Sequence, residues 1–195
     1  MSRSGWCAGL ILLPWLAAVA DMPPAAASCT DCHGENGMGG EDSMVPVIAG
    51  IPAGHIEEAI YAYIDGARRC VRVPEMCETV SILSEKEVFD IADYFAAQAR
   101  GPSQEVFDAE LAEEGLALHE RHCARCHVPP NSVEAEHALG IPLHGQKKDY
   151  LQFAIEAYAK GDREALLDAM AGAINRLEPG DFTALVHYYA SYRPR

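Results

Sequence analysis

Positive charge is scarce in this chain: 15 Lys and Arg stand against 29 Asp and Glu in 195 residues, a formal charge of −14. That balance argues against nucleic acid or an anionic lipid surface as the natural partner, since both demand a basic face. Convincing period-two alternation, the mark of a half-buried strand, is missing as well. Compositional bias is also lacking, with 49% hydrophobic residues, 16 Gly and 12 Pro, which excludes a disordered or collagen-like chain. The uncharged run Ser4 to Ala20 follows Arg3, is interrupted by Pro14, and is short for a membrane span needing about 20 residues. Ala18-Val19-Ala20 supplies small residues before Asp21, so residues 1–20 are expected to be a secretory signal peptide, cleaved to leave no membrane span. Its removal takes away Arg3 and no acid, giving −15, and places the mature chain in the periplasm.

Seven cysteines are present, and Cys7 leaves with the signal segment. Four of the other six form two copies of one pattern, Cys29-Thr30-Asp31-Cys32-His33 and Cys123-Ala124-Arg125-Cys126-His127. CxxCH is the attachment signature of c-type haem: two thiols bind the macrocycle covalently and the adjacent histidine reaches the iron. A redox dithiol or half of a zinc site uses CxxC too. Two copies in an exported chain, each followed at once by His, favour two covalently bound haem c groups.

Methionine, the usual soft sixth ligand, is sparse. Met170 is the one methionine after His127; after His33 come Met38, Met44 and Met76. Met76 follows His33 by 43 residues, and Met170 follows His127 by 43. The two motifs are 94 residues apart, so the chain reads as an internal duplication with one His/Met pair per half. Pro46 to Gly50 parallels Ile141 to Gly145, and Tyr63 to Gly66 parallels Tyr158 to Gly161, both at an offset of 95. Asp93 to Ala96 parallels His187 to Ala190 at 94. Arg100-Gly101-Pro102-Ser103 separates the halves, giving 21–100 and 101–195, with Ser103 placed to open the next helix.

Helical patterns fill both halves. Ser84-Glu85-Lys86-Glu87 is a capping box before the apolar positions Val88, Ile91, Ala92 and Phe95. Its counterpart runs from about Asp181 to Tyr192, and helical spacing also fits His55 to Ile64, Phe107 to His122 and Tyr150 to Tyr158. Each half is small for a hydrophobic core, so haem must supply much of the apolar bulk.

With paired CxxCH motifs, Tyr-x-x-Gly-x-Arg segments before each methionine, and closing Tyr-Phe-Ala and Tyr-Tyr-Ala helices, residues 29–195 resemble the dihaem cytochrome c4 type. The runs FDAELAEEGLALHERHCARCH and LHGQKKDYLQFAIEAY are similar to the cytochrome subunit of flavocytochrome c sulfide dehydrogenase within that group. The resemblance implies an all-α fold of two tandem class I cytochrome c-type domains. It implies covalent haem on Cys29, Cys32, Cys123 and Cys126, and axial iron ligands His33 with Met76 and His127 with Met170. It implies a proline carbonyl against each proximal imidazole, a role for which Pro46 is placed and Pro142 is offset by one. The partners implied are a sulfide-oxidising FAD flavoprotein as donor and a soluble acceptor such as a small cytochrome c. A free-standing carrier feeding a terminal oxidase is the alternative.

Cys70 and Cys77 bracket Met76 in a Pro-containing loop. A disulfide, two free thiols, or a thiolate replacing Met76 are the readings; the last resembles dihaem thiosulfate dehydrogenases and would make the first haem catalytic. Arg68, Arg69 and Arg163 are candidates to pair with haem propionates. His119 and His122, close before Cys123, are rival ligands, but the spacing of Met170 favours packing roles for them, as for His55, His137, His144 and His187. Only eight residues separate Asp21 from Cys29, too few for the helix that precedes the first haem in the family, so this haem edge is expected to be exposed or covered by a partner.

Overall fold

A computed structural model describes residues 21–130, 132–165 and 167–194. The signal-peptide expectation for 1–20, and Cys7 with it, lies outside the described residues. Among the described residues eight α-helices follow in order: α1 (Ala27–His33), α2 (Ala53–Ile64), α3 (Pro74–Val80), α4 (Glu85–Ala96), α5 (Ala109–His122), α6 (Lys148–Lys160), α7 (Asp168–Ile174) and α8 (Pro179–Ala190). Among the described residues there is no strand, only an isolated antiparallel bridge between Arg68 and Arg163.

The longer helices lie where periodicity put them. Ser84 caps α4, with its hydroxyl accepting from the Glu87 N–H and the Glu87 carboxylate accepting from the Ser84 N–H. Val88, Ile91, Ala92 and Phe95 of α4 are buried against Ile56 and Ile60 of α2. In the second half Phe182, Leu185 and Tyr189 of α8 pack with Leu151 and Ile155 of α6. The helix expected from Phe107 begins at Ala109 instead, because Asp108 takes the cap and accepts from the Glu110 and Leu111 N–H groups. Ser103 opens no helix; it is buried and its N–H donates to the Tyr192 carbonyl.

The duplication extends to hydrogen bonds. Gly50 donates to the Phe95 carbonyl (3.0 Å) as Gly145 donates to the Tyr189 carbonyl (2.8 Å). Gly66 and Gly161 end α2 and α6 with φ of +79° and +76°, a left-handed backbone that explains the glycine of each Tyr-x-x-Gly.

One crossing is not duplicated. α5 lies against α8 so closely at Gly115 that a methyl there would run into the Ala184 carbonyl. The first half has no such helix among the described residues; a 3-10 turn, Pro24–Ala26, packs on α4 instead. The α4 positions corresponding to Ala184 and His187 are Asp90, paired with Lys86, and the exposed Asp93. That face is built for water.

The halves are joined through main chain. Arg100, expected in an interdomain linker, is 1% exposed. It donates to the Val47 and Ala49 carbonyls of one half and to the Pro142 and His144 carbonyls of the other, at 2.8–3.3 Å. Burial lowers its pKa to about 10, which leaves it charged at neutral pH.

Candidate haem sites

Helix α1 carries Cys29, Cys32 and His33 on two adjacent turns. The buried His33 ring donates from Nδ1 to the Pro46 carbonyl at 3.0 Å, as expected for Pro46. Cys123, Cys126 and His127 instead follow α5 in a turn, where the His127 N–H donates to the Cys123 carbonyl at 2.9 Å. The His127 Nδ1 donates to the Ile141 carbonyl at 2.8 Å. Ile141, not Pro142, thus fills this role, and it stands at the duplication offset from Pro46. With Nδ1 committed, Nε2 is the nitrogen left for a metal, and the carbonyl partner raises the basicity of the ring. Burial lowers the pKa of both imidazoles, favouring the neutral form that binds metal. Gly140 backs the His127 ring so tightly that a Cβ would lie 2.6 Å from Nδ1.

Met76 and Met170 occupy the third position of α3 and of α7. Both start from the same local bond, Met76 N–H to the Val73 carbonyl and Met170 N–H to the Leu167 carbonyl. A cavity of about 550 Å³ reaches both methionines, both histidines, Cys29 and Cys32. Met44 touches it too, from the loop between His33 and Pro46, whereas Met38 is not among its lining residues. Only Met76 repeats the position of Met170. Thioethers, neutral imidazoles with one nitrogen engaged and the Cys29–Cys32 thiol pair facing one apolar cavity, with Cys123 and Cys126 beside His127, are a donor set that fits covalent haem.

Cys70 and Cys77 form a disulfide, with Cα atoms 6.0 Å apart. Neither sulfur remains as a thiolate, so the reading of the first haem as a thiolate-ligated catalyst loses its ligand. Between the two methionine segments Arg163, 5% exposed, lies over the rings of Tyr150, Phe153 and Tyr158. It also donates to the Tyr63 and Tyr150 hydroxyls at 3.4 Å. Arg68 and Arg69 line the same cavity. The rival histidine His119 is held in packing, with its Nδ1 3.0 Å from the Tyr189 hydroxyl. His144 lies 3.1 Å from the Tyr188 hydroxyl. His55 donates across the halves to the Ala138 carbonyl at 2.9 Å, and His187 accepts from the Asp108 N–H at 2.7 Å.

No protein-family model matches the chain. It is 31% identical over 180 residues to a thiosulfate dehydrogenase electron acceptor of Stutzerimonas stutzeri, covering 86% of this chain and 80% of that protein. It is 30% identical over 147 residues to cytochrome c4 of Pseudomonas aeruginosa, covering 71% of this chain and 69% of that one. The chain belongs to the dihaem cytochrome c4 family. Among solved structures, reduced cytochrome c4 from Pseudomonas stutzeri superposes with a TM-score of 0.69 at 23% identity, covering 85% of this chain and 94% of that one. As a cytochrome c4-type protein it is an all-α electron carrier of two cytochrome domains with two c-type haems. The narrower likeness to the sulfide dehydrogenase subunit is not what these relatives carry.

Sequence reasoning missed Gln146 and Arg100, which bond the loops carrying the histidine acceptors, and Gly140, which packs against the His127 ring. The one available signal was position: Gln146 falls inside the LHGQ run and Arg100 beside the Gly-Pro junction.

Proposed function

We propose that this is a periplasmic dihaem carrier that takes electrons from a sulfur-oxidising dehydrogenase and passes them to a soluble acceptor such as a small cytochrome c. Residues 21–100 hold one haem through Cys29 and Cys32, with His33 and Met76 as axial ligands. Residues 101–195 hold the other through Cys123 and Cys126, with His127 and Met170. The observation that carries this reading is the matched pair of histidines, each bonded through Nδ1 to a carbonyl, sharing one cavity with methionines at equivalent helix positions. When bound, haem c supplies reversible one-electron chemistry at iron. The protein's part is to fill both axial positions, exclude water with the apolar walls, and offer Arg68 and Arg163 to the propionates. With His33 and Met76 held for one haem and His127 and Met170 for the other, a bound iron would have no position left for a substrate, as suits a carrier.

A thiosulfate dehydrogenase is the favoured donor, because curated relatives that share most of this chain bear the name of that enzyme's electron acceptor. The FDAELAEEGLALHERHCARCH run supports a sulfide-oxidising flavoprotein as the second reading. Rapid mixing separates them: ferric protein is expected to be reduced by thiosulfate in the presence of a thiosulfate dehydrogenase, and more slowly by sulfide with an FAD flavoprotein. The opposite order replaces the first donor with the second. For the ligands, Met76→Ala and Met170→Ala are each expected to remove about half of the near-infrared methionine–iron band of the ferric protein. A band unaffected by either variant rejects that methionine as a ligand.

A further inference from the structure

The carbonyl that receives the His33 proton belongs to a peptide unit whose other end is held from the opposite half. Pro46 C=O and Val47 N–H share one peptide plane. The Val47 N–H donates to the Gln146 side-chain oxygen at 2.7 Å, and the Gln146 amide nitrogen donates back to the Val47 carbonyl at 2.8 Å. Gln146 is 4% exposed, and its oxygen also accepts from the Lys147 N–H at 3.0 Å. An unbroken chain therefore runs from His33 Nδ1–H to the Pro46 carbonyl, through the peptide to the Val47 N–H, and on to Gln146. Hydrogen bonds at the two ends of one peptide polarise each other, so an acceptor on the N–H makes the carbonyl a stronger acceptor.

The arrangement is not reciprocal. Gln146 stands at the duplication offset of 95 from Ile51, which has no polar side-chain atom. The peptide that accepts from His127 runs from Ile141 into Pro142, which has no N–H to engage. The two sites share the Nδ1-to-carbonyl bond and the methionine position, but differ in this respect.

We propose that Gln146, a residue of the second half, is a positioning residue for the proximal histidine of the first haem. By accepting from the Val47 N–H it orients and polarises the Pro46 carbonyl, strengthens the hydrogen bond that His33 Nδ1–H donates to it, and increases the imidazolate character of the ligand. A more basic ligand stabilises ferric iron and lowers the potential of the first haem. Arg100 holds the two loops together through the Val47 and Pro142 carbonyls, so the chain keeps its geometry only while the halves are docked.

The proposal rests on His33 being the iron ligand, and the test keeps the two apart. Redox titrations that resolve both haems are run on holoprotein carrying Gln146→Met and Gln146→Glu, with proton exchange at His33 Nδ1 followed by NMR. Gln146→Met is expected to raise the potential of the first haem, speed exchange of the His33 proton, and leave the second haem unmoved. Gln146→Glu keeps an acceptor and strengthens it, so the first potential is expected to fall. A first potential that stays put in both variants, or that moves together with the second, overturns the proposal. If Gln146→Met does not yield holoprotein, Gln146→Glu decides alone: a fall sustains the proposal, and a rise or no change rejects it. The ligand assignment is read separately from the visible spectrum of His33→Ala. If that variant keeps a native spectrum at the first haem, the ligand reading fails whatever the potentials do.

Discussion

A methyl group's width decides the second proximal site. At Gly140 any side chain would press on the His127 ring, and Gly140→Ala is expected to push the imidazole off the Ile141 carbonyl. The cost should be about 1–3 kcal/mol, as for other overpacked sites. Denaturant unfolding reads that loss, and visible spectra should change at the second haem alone. Deeper in the same half, burial lowers the pKa of His119 to about 4 and of His144 to about 3, with Tyr188, Tyr189 and Tyr192 packed around them. The unfolded chain, with histidines near 6.5, takes up these protons first. Stability is therefore full above about pH 6.5 and falls as pH drops from there toward 4, which urea midpoints across that range will record. At this scale the sequence put forward the candidate ligands through type and spacing. It could not disclose Gly140 or Gln146, whose roles arise only from what the folded chain brings against them.

Short helices separate what periodicity reveals from what it hides. Helices α2, α4, α5, α6 and α8 run for 12 residues or more and show an apolar stripe. Helices α1, α3 and α7 have seven residues each, about two turns, too few for a stripe to stand out. They are nonetheless the elements that carry the first haem motif and both methionines. In α3 the Cys70–Cys77 disulfide anchors the residue next to Met76, a constraint that α7 lacks. Replacing both cysteines by Ser is expected to cost about 2 kcal/mol on the chain-entropy estimate for so short a loop. Thermal unfolding measures that loss, and the near-infrared band of the first haem alone should weaken as Met76 is released. The crossing of α5 on α8 has no partner among the described residues of the first half, where Asp90 and the exposed Asp93 take the corresponding α4 positions.

Across the whole molecule the haem cavity takes its walls from both halves, so cofactor binding and interdomain docking are coupled. With about 550 Å³ of apolar space to fill and modest cores on either side, neither half is expected to hold its helices without haem. Replacing all four motif cysteines by Ser should abolish most of the far-ultraviolet helical signal; retention of native helicity would show that the polypeptide cores suffice. The two-domain duplication was legible in spacing alone, since offsets of 94 and 95 recur through the chain. The docking was not, because its contacts are largely main-chain carbonyls met by scattered polar side chains, Arg100, Gln146, His55 and Lys147 among them. The antiparallel bridge between Arg68 and Arg163 joins residues at the same position in each repeat. Contact between identical positions run in opposite directions is what two copies of one subunit make about a twofold axis. At this point the halves meet as two copies of one subunit would, and the linker between them keeps the pair together at high effective concentration. The copies are not identical: the first carries the disulfide, and the second carries the glutamine that reaches its neighbour.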